Sequence, residues 1–168
     1  DYQLSIIPST TFFSRNAIFS GYFPNELYNS NPSLYNKMNV IETNYNKFEH
    51  ELLKAQLNRL SLGDKSTGYI KVSSYAFGKS LTKTIKDYKN TDLLCIVVNF
   101  IDILAHSRTE SGVLKEVLTD EASYRSIINS WISNSWFREV LNELGQWGRK
   151  IYVTSDHGST MIKKPIHL

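Results

Sequence analysis

The 168 residues are 41% hydrophobic and 21% charged, enough for one compact domain with its own core and too few for two full enzymatic domains. No apolar run reaches the roughly 18 residues of a membrane-spanning helix, and eight Gly with four Pro exclude a collagen-like or low-complexity chain. The net charge of +3 tolerates an anionic substrate without announcing nucleic acid.

Taken in chain order, LSII at residues 4–7 reads as a short strand, cut off by Pro8. Pro8-Ser9-Thr10-Thr11 then opens a helix that runs through Arg15, Asn16 and Phe19 to Gly21. Between Ser20 and Asn44 the chain is rich in Asn and Tyr, holds Pro24 and Pro32, and has no periodicity, so a long surface loop is predicted there. Residues 43–61 follow a period near 3.6 through Phe48, Leu52, Leu53, Leu57 and Leu60, with Thr43 as N-cap and His50 as an exposed helix residue. GYIKV at 68–72 is a weak strand, and 75–88 a short helix. LLCIVVNF at 93–100 is the strongest strand, rich in Val and Ile and read as buried on both faces. Residues 121–145 form the longest predicted helix, with Trp131 and Trp136 on its apolar stripe as core or interface residues, and Gly145 and Gly148 ending it. KIYVTS at 150–155 is a further strand.

Strands alternating with helices predict an α/β fold, a mostly parallel sheet flanked by helices. Ligands of such sheets collect at the carboxyl ends of strands. Polar residues with chemistry follow three of the predicted strands: PSTT after 4–7, Asp102 and His106 after 93–100, and Asp156-His157-Gly158 after 150–155. The sole cysteine, Cys95, excludes a disulfide framework and a multi-cysteine zinc site, and reads as a small buried side chain.

Each cluster has a plain reading of its own. Asp102 can cap a helix with His106 incidental one turn later, Asp156 can make an Asx-turn, and a threonine hydroxyl can cap a helix. Arg15 can be a solvated helix residue, and Arg108, Thr109 and Glu110 a surface salt-bridge cluster. Together they read differently. Two carboxylate–imidazole couples suit Zn²⁺ or Mn²⁺, and a hydroxyl beside them is the apparatus of two-metal phosphoryl or sulfuryl transfer.

SIIPSTTFFSRNAIFSGYFP, NFIDILAHSRTE and VTSDHGS resemble the nucleophile segment and two metal segments of the alkaline phosphatase superfamily, and within it the PglZ-type domain. NFIDILAHSRTE, with NSWISNSWF downstream, is similar to the effector domain of PorX-type response regulators. The resemblance implies one PglZ-like domain over 1–168 with an alkaline-phosphatase-like core. It implies Thr11 rather than Thr10 as nucleophile, one zinc on Asp102 and His106, and a second on Asp156, His157 and Thr11. Arg15 and Arg108 would meet the substrate phosphate. The implied activity is a zinc-dependent phosphodiesterase acting on cyclic or linear oligonucleotides. The implied setting is cytoplasmic, with no membrane, an upstream receiver domain and a homodimer formed through the parent protein.

The superfamily's first metal-ligating Asp follows a strand upstream of the nucleophile, and no such strand precedes residue 4. The chain, opening on Asp1, is therefore expected to be a piece of a longer one, truncated on its N-terminal side. A third ligand for the first zinc is also missing unless His167 supplies it. Lys163 suits a phosphate chain, and Tyr22, Phe23 or Tyr28 would stack bases or simply pack. Two further readings stand beside this one. One is a non-catalytic regulatory or dimerisation module with an incomplete metal site. The other keeps the superfamily with monoesterase, mutase or sulfatase chemistry.

Overall fold

The computed structural model describes residues 5–7, 9–39 and 46–158. These fall into two compact units. One runs up to Ser66 and takes in the chain again from Val153; the other spans Thr67–Tyr152.

The first unit is helical. Helix α1, Thr11–Ser20, follows an extended Thr10 and stops at Gly21, whose φ of 64° is the left-handed turn that glycine adopts without strain. The predicted loop after it is helical instead: α2 spans Pro24–Ser30 and α3 Pro32–Asn39. The two prolines open helices rather than break them, because the first helical position needs no N–H and favours the fixed proline φ. Glu26 accepts from the Phe23 N–H at 2.8 Å, and Asn31 Oδ1 accepts from the Leu34 N–H at 3.2 Å, so each entry is capped.

Helix α4 covers Glu49–Arg59, shorter at both ends than the predicted 43–61; Thr43 lies outside the described residues. Its stripe of Leu52, Leu53 and Leu57 is buried with Phe19, Leu27 and Met38, while Leu60, past the last turn, is exposed. Helices α1 and α4 pack against each other.

The second unit carries the sheet. Strand β1, Thr67–Val72, pairs in parallel with β2, Leu93–Val98, in the register Ile70↔Ile96 and Val72↔Val98. Helix α5, Tyr75–Thr84, and a 3-10 turn at Ile85–Tyr88 connect them, as the 75–88 reading predicts. Paired residues share a face, so Ile70, Val72, Leu94, Ile96 and Val98 meet Leu81, Ile85, Trp136 and Val140 in one core. β2 ends two residues early because Phe100 already begins α6, Phe100–Glu110. It is not buried on both faces as expected: Leu93 is exposed and Leu94–Val98 are half-buried, with β1 the only strand paired to it among the described residues. After α7, Gly112–Val117, the predicted helix 121–145 is two helices, α8, Glu121–Asn134, and α9, Trp136–Gly145. Ser135, extended at φ −104° and ψ 176°, breaks them and caps α9 by accepting the Phe137 N–H. Trp131 and Trp136 are core residues.

Two predicted strands are absent. Ser5–Ile7 and 150–155 have no strand structure, and Ile7, Tyr152 and Val153 are 95%, 83% and 80% exposed. Among the described residues their β-rich composition has no paired neighbour to complete a ladder, and propensity alone does not make a strand. The fold is α/β with a small parallel sheet. Among the described residues no helix is long and apolar enough to cross a membrane.

Candidate active site

Helix α1 sets the first component. Thr10 is extended, its carbonyl accepts the Ser14 N–H at 2.9 Å, and its hydroxyl makes no capping bond. Thr11 is the first helical residue, and its Oγ1 lies 3.1 Å from Nε2 of His157, 146 residues further along the chain.

His157 is held by its neighbours. Nδ1 is 3.1 Å from the Gly158 carbonyl, which has only lone pairs to offer, so Nδ1 carries a hydrogen. In the neutral ring Nε2 then keeps its lone pair on the Thr11 side. Asp156 Oδ2 lies 3.5 Å from the same Nε2, and the two side chains are 23% and 27% exposed. A carboxylate oxygen and an imidazole lone pair that face one another need a positive centre between them, a proton or a metal ion. Carboxylate, imidazole and hydroxyl oxygen are a donor set that fits Zn²⁺ or Mn²⁺.

The backbone of this loop is tied to the helix by a residue that sequence reasoning missed. Ser5 Oγ donates to the Asp156 carbonyl at 2.8 Å and stands 3.2 Å from Ser14 Oγ. Its single hydrogen goes to the carbonyl, so Ser14 donates to Ser5. Ser155 Oγ donates to the His157 carbonyl at 2.5 Å. Nothing in the sequence marked Ser5, which stood inside a predicted strand.

Asp102 and His106 belong to the other unit. Asn99, not Asp102, is the N-cap of α6; Asp102 sits in the first turn, where the helix dipole favours an acid. One turn on, His106 Nε2 is 3.4 Å from Asp102 Oδ1, with the side chains 76% and 48% exposed. Among the described residues no three or more His, Cys, Asp or Glu side chains gather as a metal cluster. Each couple brings two such ligands, and any further donor must come from elsewhere, as Thr11 does beside His157. His167 and Lys163 lie outside the described residues, and His50 is half-buried in α4.

Arg15 is 8% exposed and its Nη2 pairs with Glu49 Oε2 at 2.6 Å, the Glu49 side chain being fully buried. Glu49 carried a readable signal. It lies three and four residues before Leu52 and Leu53, on the apolar stripe of α4, where an acid needs a partner. Arg108 Nε donates to the Leu118 carbonyl at 2.7 Å, and Glu110 is exposed. Of the loop aromatics, Tyr22 lies under the Arg59 guanidinium at 3.7 Å and Tyr28 packs edge-on against Tyr35, while Phe23 is 59% exposed. Cys95 is half-buried, and its desolvation pushes the thiol up from its ordinary pKa, which favours the neutral form.

No curated protein matches the chain. The family model described as the BREX system PglZ alkaline phosphatase-like domain matches residues 1–167, and with a threonine, an imidazole and a carboxylate at one helix start the chain belongs to that PglZ, alkaline phosphatase-like family.

Proposed function

We propose that the chain is a metal-dependent phosphoesterase in which Thr11 is the nucleophile, and in its finer form a zinc phosphodiesterase with cyclic or linear oligonucleotides as substrate. The observation that carries the reading is the 3.1 Å approach of Thr11 Oγ1 to His157 Nε2. The Thr11 hydroxyl hydrogen points at the Nε2 lone pair, leaving the oxygen's own lone pairs for phosphorus. Attack forms the Oγ1–P bond and breaks the bond from phosphorus to the leaving alcohol, which departs with a proton; water then cleaves the phosphothreonine. The first-turn N–H groups of α1 lie beside that oxygen and favour the phosphate's charge. His157 Nε2 and Asp156 Oδ2 would hold one zinc, which would take over the hydroxyl's hydrogen-bond partner and supply the charge that stabilises an alkoxide. Asp102 and His106 have the donor chemistry for a second.

Arg15 as a phosphate clamp would require its guanidinium to exchange Glu49 for the substrate. The effector domain of a cytoplasmic PorX-type response regulator, dimerising through a receiver domain, is the biological setting we favour on the resemblance of NFIDILAHSRTE. A second reading, a non-catalytic regulatory module, is favoured by the two-ligand couples among the described residues.

The test is hydrolysis of bis-nitrophenyl phosphate together with bound zinc. Turnover that is lost on chelation, restored by zinc and abolished in Thr11→Ala with metal content nearly unchanged supports the enzyme. Turnover retained in Thr11→Ala rejects Thr11, and absence of zinc at every step favours the regulatory module.

A further inference from the structure

The break between α8 and α9 opens a hollow of about 340 Å³ within the second unit, and none of the residues already discussed as ligands or nucleophile lines it. Three aromatic rings do, Tyr75, Phe100 and Trp131, together with Ile127. Phe100 and Trp131 are stacked on one another, centroids 4.0 Å apart with their ring planes nearly parallel at 5°, so each holds the other in place. Three polar side chains without charge, Ser130, Asn134 and Ser135, complete the lining.

Two of these have hydrogen-bonding capacity to spare. Ser135 is 8% exposed; its Oγ accepts the Phe137 N–H at 3.2 Å, so its own hydroxyl hydrogen is left to donate. Asn134 gives one amide hydrogen to the Ser130 carbonyl at 2.9 Å and keeps the other, along with its carbonyl oxygen. A hollow with flat apolar walls and a neutral donor–acceptor edge matches one kind of ligand, a planar heteroaromatic ring with polar atoms on its rim. The volume is at the low end of ligand pockets, which run from about 300 to 1,000 Å³, and suits one ring system with a small substituent.

We infer that this hollow is a binding site for a nucleobase-like heteroaromatic group, its ring packed among Tyr75, Phe100 and Ile127 and its polar atoms read by Ser130, Asn134 and Ser135. The absence of charged lining makes it a site for the base and not for a phosphate. It stands independently of the phosphoesterase reading, since nothing in it depends on metal or on Thr11.

The experiment is equilibrium dialysis of the full chain with labelled adenosine, beside adenosine monophosphate and toluene. Adenosine and its monophosphate are expected to bind comparably, and toluene, which has no polar edge, more weakly. Asn134→Ala is expected to weaken adenosine about threefold to tenfold by removing one hydrogen-bonding edge. Ser130→Trp fills the hollow from an exposed helix position, so it is expected to abolish binding with an unchanged circular dichroism spectrum and melting profile. No adenosine binding by the native chain, toluene binding as tight as adenosine, or undiminished binding in folded Ser130→Trp would each overturn the assignment.

Discussion

Replacing Glu49 by Gln removes the negative charge opposite Arg15 and leaves the shape of the side chain almost unchanged. The pair is 2.6 Å apart and its side chains are 10% and 0% exposed, so little water remains to screen the guanidinium left behind. With charge centres about 4 Å apart and an effective dielectric of about 20, the lost attraction is about 4 kcal/mol. That agrees with the roughly 3–5 kcal/mol measured when one partner of a buried pair is removed. Replacing both, Arg15→Met with Glu49→Leu, takes away the isolated charge and is expected to restore native stability or exceed it. All three tryptophans, Trp131, Trp136 and Trp147, lie in the other unit, so their fluorescence is the wrong probe. Hydrogen exchange of peptides covering α1 and α4 reads the right region, and Glu49→Gln should lower their opening free energy by about 3 kcal/mol or unfold them outright. A loss below about 1 kcal/mol would mean that the pair is screened like a surface one, and the reasoning fails. The double variant also tests Arg15 in function. If it is stable and keeps turnover, the guanidinium supports α1; if it is stable and inactive, Arg15 reaches the phosphate.

Two further predictions concern stability. A Cβ on Gly78 would fall on the indole of Trp136, a 2% exposed ring wedged edge-on against Trp131 and Phe137. Gly78→Ala should gain about 1 kcal/mol of helix propensity and lose about 1–3 kcal/mol or more to overpacking, so the melting temperature read by tryptophan fluorescence should fall. An unchanged or higher value would contradict the tight fit. At the start of α8 the Ser123 backbone N–H, and then its side chain, hold the Asp120 carboxyl below the usual carboxylate range. A carboxyl lowered on folding stabilises above its unfolded pKa, and that stabilisation disappears as pH falls through the folded one. The advantage of the native chain over Asp120→Asn should thus be present at neutral pH and vanish in acid. Denaturation midpoints that differ equally at both pH values would refute it.

The sequence disclosed those parts of the fold whose burial is written in periodicity. The Leu52, Leu53 and Leu57 stripe and the Gly21 stop of α1 are local signals met within their own unit, and the Val- and Ile-rich β2 forms its strand, although half-buried and not covered on both faces. Residues 150–155 carry the same β-rich chemistry as β2 and form no strand, because a strand is completed by a partner that composition does not name. Pro24 and Pro32 pointed both ways, since proline punctuates loops and opens helices with equal ease. The Ser135 break was hidden in a run of residues, Ser133-Asn134-Ser135, that favour helix caps. In the candidate site Thr11, Asp156 and His157 could be picked out by residue type, whereas the reason for their meeting could not. The expected meeting place was the rim of a sheet; the structure joins them through Ser5 and α1 instead.

Those contacts span 146 and 151 residues, and the whole of Thr67–Tyr152 folds as a separate unit in between. On a ribosome, therefore, the helix that bears the hydroxyl precedes its imidazole by 146 residues, and the pairing waits until all of Thr67–Tyr152 has been made. Closing so long a loop costs little more than closing one half as long, by about 0.6 kcal/mol, so the delay is one of synthesis and not of stability. A nascent chain halted between Tyr152 and His157 would hold all of Thr67–Tyr152 and still lack the contact of Thr11 with His157.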